Sequence, residues 1–141
     1  MRTIKYRGKT KNGEWLYGDL LQVANEVFIA PSDGDWFDFI PWSRNNVFHL
    51  PAAKYAVIPE TVGQFTGLLD KNDKEIYEGD IIKAENVSHY VRYIEDQAMF
   101  VANIISKNPL MDYCSIFQTW IDEYNKVVIG NIHDNPELLN K

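Results

Sequence analysis

A single cysteine, Cys114, is all the thiol chemistry in a chain of 141 residues. One cysteine excludes an internal disulfide and fits a reducing compartment. Cys114 lies between Tyr113 and Ser115, with no basic neighbour in sequence to stabilise a thiolate, so it reads as a small, half-buried apolar residue rather than a nucleophile. The stretch MRTIKYRGKTKNGEW lacks the apolar core of a signal peptide, and none is expected. The longest apolar run, Ala98–Ile105, is interrupted by Asn103 and is too short to span a bilayer. A soluble, intracellular protein without membrane contact is the expectation. Basic residues are scarce as well, 14 against 20 acids for a net charge of −6, which argues against general nucleic-acid binding.

Catalytic and cofactor signatures are missing too. There is no GxxxxGK[ST] or GxGxxG loop to cradle phosphates and no GxSxG turn to present a serine nucleophile. His49, His89 and His133 are far apart and have no HExxH or CxxC partner. Asp33 and Asp35 have calcium-ligand spacing, but an EF-hand loop begun at Asp33 needs Gly and Glu where this chain has Asp38 and Arg44. A turn anchored by Trp36 and Phe37 accounts better for that region. No metal, no cofactor and no enzymatic activity are expected.

What the chain does have is aromatic side chains: four Trp, eight Tyr and seven Phe. Such residues fill the core and cross-strand pairs of β proteins. Residues 3–9 and 14–23 read as a hairpin around the Asn12-Gly13 turn. Arg2, Lys5, Arg7, Lys9 and Lys11 then alternate along the first strand as the solvent face of a sheet edge. Further strands are predicted at 27–30, 47–50, 55–58, 81–85, 88–94, 99–106 and 126–132. A break falls at Lys107-Asn108-Pro109. Ile116, Trp120 and Tyr124 recur every fourth residue, which suits a short amphipathic helix within 112–124; an irregular connection is the alternative.

The centre of the sequence is IPETVGQFTGLLDKNDKEIYEGDIIK, residues 58–83. It reads as a strand, a polar turn at 70–74 and a second strand, with glycines where the backbone bends. Glu60, Glu75, Glu78 and Asp80 could supply an acid–base pair. Asp80, however, follows Gly79 as a turn-capping residue does, and Glu75 is expected to face solvent. Residues 11–21, KNGEWLYGDLL, echo 71–82, KNDKEIYEGDII: a polar turn, an apolar-Tyr strand, a Gly-Asp bend and an apolar pair.

These motifs, with VIGNIHDNPELL at 128–139 and GEWLYGDLL at 13–21, resemble the YopX family of phage- and prophage-encoded proteins over nearly the whole chain. The resemblance rests on Pro59, Glu60, Gly63, Gln64, Gly67, Tyr77, Gly79, Asp80, Gly130, Asn131, Asn135 and Pro136. It implies a small, mainly β protein of the bacterial cytoplasm whose motif positions have no assigned role. The chain departs at Asp73, where the turn commonly has Gly, which puts the turn type in question. The Gly79-Asp80 motif and the final Val-Val-Ile-Gly strand also resemble an SH3-like barrel. The expected fold is therefore mainly β and barrel-like: an N-terminal β unit over 1–62, an SH3-like unit over 63–141, and at most one or two short helices. The expected function is non-enzymatic binding of a host or phage protein, or assembly into a homo-oligomer. The alternative is a nucleic-acid-binding small barrel that stacks bases on Tyr6, Tyr90 or Tyr93.

Overall fold

Short alternating runs between tight polar turns give twelve strands and one α-helix among the described residues. The computed structural model describes residues 1–34, 43–44, 47–48, 51–106 and 113–140, with backbone alone for 43–44 and 47–48. Asp35, Trp36, Phe37, Asp38, His49, Leu50 and the break at 107–109 lie outside the described residues. The strands form two five-stranded antiparallel sheets and a two-stranded ribbon. The fold is thus mainly β, and the chain divides into two compact units, Met1–Gln64 and Phe65–Lys141.

In the first unit, β1 (Tyr6–Lys9) pairs with β2 (Trp15–Val23), and β2 pairs with β3 (Glu26–Pro31) from Gly18–Pro31 to Val23–Glu26. The ribbon is β4 (Ser43–Arg44) with β5 (Val47–Phe48). The chain returns through a 3-10 turn at Pro59–Thr61 into β6 (Gly63–Leu69), whose first two residues pair with Arg7 and Tyr6. β1 is therefore an interior strand, not the expected edge. Pairing on both sides leaves Arg7 only 5% exposed, with its guanidinium 4.8 Å from the Trp15 ring centroid. Phe28, Ile29 and Val57 are buried at the centre. The strand expected at 55–58 is replaced by a 3-10 turn at Ala53–Tyr55 and a single bridge, Phe28–Ala56. The tight turn takes up Tyr55, and the next turn starts at Pro59, so too little extended chain remains for a strand.

In the second unit, the rest of β6 pairs with β7 (Glu75–Tyr77) across a bulge. A five-stranded sheet follows in the order β11 (Tyr113–Ser115), β10 (Met99–Ile104), β9 (Val87–Ile94), β8 (Asp80–Ala84), β12 (Val127–Asn131). Ile82, Val91 and Ala102 share one face, against which Ile76 and Ile121 of α1 (Gln118–Glu123) complete a buried cluster. The expected barrel does not close among the described residues: β11 and β12 are the outer strands of an open sheet. The Lys126 carbonyl and the Val128 N–H bond to the 70–74 turn rather than to another strand. The helix is also shorter than the four-residue spacing predicts, because Tyr113–Ser115 pairs with β10. Ile116 and Trp120 still pack on the core, while Tyr124 stays 59% exposed at the helix end. The charge is uneven: seven bases and seven acids in the first unit, seven bases and thirteen acids in the second.

Candidate functional site

The sequence echo is reproduced in two five-residue turns that share three hydrogen bonds, and the Asp70 turn adds a fourth, from the Asn72 N–H to Asp70 Oδ1 (2.7 Å). In the first unit, the Thr10 N–H donates to Glu14 O (2.8 Å), the Gly13 N–H to Thr10 O (3.0 Å), and the Glu14 N–H to Thr10 Oγ1 (3.2 Å). In the second unit, the Asp70 N–H donates to Lys74 O (2.8 Å), the Asp73 N–H to Asp70 O (3.0 Å), and the Lys74 N–H to Asp70 Oδ1 (3.0 Å). Thr10 and Asp70 are both buried, and Gly13 (φ 89) and Asp73 (φ 61) both have positive φ. Asp73 thus adopts the left-handed conformation for which glycine is the usual choice. The residue before each turn is clamped at both backbone groups. Lys9 gives its N–H to Thr61 Oγ1 (2.8 Å) and receives the Ile58 N–H at its carbonyl (2.8 Å). Leu69 is held by the Gln118 amide, which accepts its N–H (3.1 Å) and donates to its carbonyl (2.9 Å).

The echo fails downstream. β2 runs straight through Gly18-Asp19, where the sequence suggested a bend, whereas β7 stops at Tyr77 and β8 starts at Asp80. Gly18 is required for another reason, since a Cβ there would run into the Ala30 carbonyl.

The surroundings of the two turns also differ. In the second unit, the Lys71 N–H donates to Lys126 O (3.0 Å), and the Val128 N–H donates to Asp70 Oδ2 (2.9 Å), so an extended segment of the chain lies against the turn. In the first unit, the turn borders an open groove of about 540 Å³. Lys11 and Asn12 of the turn, Val27 and Phe28 of β3, and Lys54 and Val57 of the returning chain line it. Among the described residues nothing accepts the Lys11 N–H. This groove is the candidate site, and no motif marks it, because its walls come from three separate segments, 10–12, 25–28 and 51–59.

The motif positions fall into two groups. Pro59, Glu60, Gly63 and Gln64 belong to the first unit; there the 3-10 turn presents Thr61, whose hydroxyl donates to Ile58 O (2.6 Å) while accepting from Lys9. Thr61 belongs to the Pro59-Glu60-Thr61 motif, and its place in the fold is to fasten Lys9 to the turn. In the second unit, Tyr77, Gly79, Asp80, Gly130, Asn131, Asn135 and Pro136 gather at one end of the sheet. The buried Asp80 carboxylate accepts the Tyr77 N–H (2.8 Å), and the Gly79 carbonyl accepts the Ile132 N–H (2.9 Å). Asn131 Oδ1 accepts the N–H groups of His133 and Asp134, Asn135 Oδ1 accepts that of Asn131, and Pro136 opens a 3-10 turn. A Cβ on Gly130 would collide with Asn135 Oδ1. Gly67 stands apart in the β6 bulge, with φ 86 and open space around it. Glu75 is not simply a solvent-facing residue, because it accepts the Tyr77 hydroxyl (2.6 Å).

One further polar cluster sits beneath α1. His89 is 4% exposed, has no partner for Nδ1 among the described residues, and meets Trp120 edge-on with centroids 5.4 Å apart. The buried Lys126 ammonium lies 4.7 Å from the Trp120 centroid. Burial, with the Lys126 charge adding to it, lowers His89 to a pKa of about 4. Burial also pushes the Cys114 thiol up and the Lys126 ammonium down, the opposite of an activated thiolate. The thiol donates to Ala102 O (3.6 Å). Among the described residues no group of His, Cys, Asp and Glu could hold a metal ion, and no helix is long and apolar enough to cross a membrane.

Fold and sites together define a two-unit, mainly β protein built on repeated capped turns. The family model described as YopX protein matches residues 5–140, and the chain belongs to the YopX family. No curated protein matches it. Among solved structures it is similar to the crystal structure of protein EF1440 from Enterococcus faecalis, at 24% identity over 99% of each chain with a TM-score of 0.60. That likeness shows the fold.

Proposed function

We propose that this chain is a phage- or prophage-encoded accessory protein that acts in the cytoplasm of a bacterial host by binding another protein, without catalysis. The observation that carries this reading is the first-unit groove, with an apolar floor at Val27, Phe28 and Val57 and the cations Lys11 and Lys54 at its sides. The carboxylates favour binding over acid–base chemistry as well. Glu60 is on an exposed turn of the first unit, and Asp80 in the second is committed to a backbone N–H. Nucleic acid is the weaker reading, because Arg7 is buried, Lys9 leans over the Trp15 ring at 6.0 Å, and the second unit has an excess of acids.

Amine-directed cross-linking of the tagged protein in host cells, read by mass spectrometry, tests this function. A partner protein, or a second copy of this chain, cross-linked through Lys11 or Lys54 supports it. A protein that sediments as a monomer and cross-links to nothing overturns it.

A further inference from the structure

The two turns share one construction and differ in what lies against them. At Asp70–Lys74 the outward N–H of the second turn residue, Lys71, is taken by the carbonyl of Lys126. The N–H two residues later along that same extended segment, at Val128, is taken by the side chain of the first turn residue, Asp70. A carbonyl and an N–H two residues apart lie on the same edge of an extended chain, so the turn reads a strand by its backbone. At Thr10–Glu14 the three bonds common to both turns are made, and the preceding residue is again held at both backbone groups, here by Thr61 and Ile58. The Lys11 N–H has no acceptor among the described residues, and the space beside it is the groove.

We infer that the first-unit groove receives an extended segment of a partner protein, docked on the Thr10–Glu14 turn as Lys126–Val128 is docked on the Asp70–Lys74 turn. This rests on the binding function proposed above. The partner's carbonyl accepts the Lys11 N–H, and its N–H two residues further on reaches Thr10 Oγ1, a hydroxyl oxygen that lines the groove and can accept a second bond beside that from Glu14. Between those contacts one partner side chain points at Val27, Phe28 and Val57, which selects an apolar residue. Among its described lining residues the groove carries Lys11 and Lys54 against one acid, Glu26, so an acidic residue flanking the apolar one completes the match. Thr10 in place of Asp70 fits this exchange. A carboxylate there would hold a strand permanently and repel an acidic one, whereas a hydroxyl accepts a bond without adding charge.

Two substitutions separate the backbone contact from the charge. Lys11 occupies the second position of a turn closed by the Gly13 N–H to Thr10 carbonyl bond, a position that proline favours. Lys11→Pro therefore deletes the outward N–H without disturbing a bond of the fold, whereas Lys11→Ala deletes the charge and keeps the N–H. The probe is a display library of random peptides of about seven residues panned on the full-length protein, with titration calorimetry on the enriched sequences. We expect enrichment of an apolar residue next to Asp or Glu. Lys11→Pro should weaken binding about tenfold or more at an unchanged urea midpoint, and Lys11→Ala only about two- to threefold. The Lys11 amide of the unsubstituted protein should gain protection from hydrogen exchange when peptide is added. Failure to enrich any peptide overturns the inference, as does equal affinity of Lys11→Pro and Lys11→Ala or an unprotected Lys11 amide. In those cases a partner cross-linked in cells would leave the binding function standing with a different mode of contact.

Discussion

Asp73 and His89 each hold a chemical state that the surrounding fold imposes. Asp73 has φ 61 where its counterpart Gly13 has φ 89, and a side chain in that region is crowded against its own backbone. Asp73→Gly should therefore stabilise the protein by about 0.5–1 kcal/mol, seen as a higher urea midpoint with an unchanged slope. The departure at Asp73 was legible from the sequence, and the structure turns it into a specific angle. His89 is different. Nothing in the Val87–Ile94 pattern distinguishes a buried histidine from an exposed one, because burial depends on α1, which lies distant in sequence. Its pKa of about 4 is below the ordinary 6.5, so the unfolded chain binds more protons between those values. Stability is then complete above pH 6.5 and declines as the pH falls towards 4, by roughly 3 kcal/mol in all. Urea midpoints taken from pH 7.5 to 4.5 measure the slope, and His89→Leu should flatten it over that window.

At the scale of elements, the hairpins were legible because Asn12-Gly13 and the 70–74 turn announce themselves by residue type, and β1, β2, β6, β7, β8 and β9 follow from alternation between turns. What the elements do with their spare hydrogen bonds was not legible. α1 is placed by a side chain rather than by its periodicity, since the Gln118 amide closes on both backbone groups of Leu69, 49 residues earlier. Gln118→Ala should cost about 1–2 kcal/mol and speed exchange of the Leu69 amide, measurable site by site by NMR. The two turns also make a matched pair for proline. Lys71→Pro removes the donor to the Lys126 carbonyl and should destabilise by about 1–2 kcal/mol, whereas Lys11→Pro, at the equivalent place in the first turn, should not.

For the molecule as a whole, family membership was legible in the motifs, and the structure explains most of them as backbone fastenings: Asp80 on Tyr77, Asn131 on His133 and Asp134, and Gly130 beside Asn135. The groove was not legible, because a cavity is a property of where three segments meet and no one of them carries its pattern. Charge is the other whole-chain property, and the sequence total hid its distribution. With seven bases against thirteen acids, the second unit should gain stability as salt screens its self-repulsion, by about 0.5 kcal/mol between low and near-molar ionic strength. Urea titrations at several sodium chloride concentrations provide the check.

Trp120, with a lysine ammonium near its ring face and a histidine at its edge, also has an optical consequence. Indole emission is sensitive to nearby cations and is quenched far more strongly by imidazolium than by neutral imidazole. Trp120 should therefore dim as His89 takes up a proton and shift towards red wavelengths only when α1 lifts away. Trp15, set against Arg7 in the first unit, belongs to a separate surrounding. Trp15, Trp36 and Trp42 all fall within residues 1–64 and Trp120 alone within 65–141, so the difference between the parent and Trp120→Phe isolates the second unit's emission without any added label.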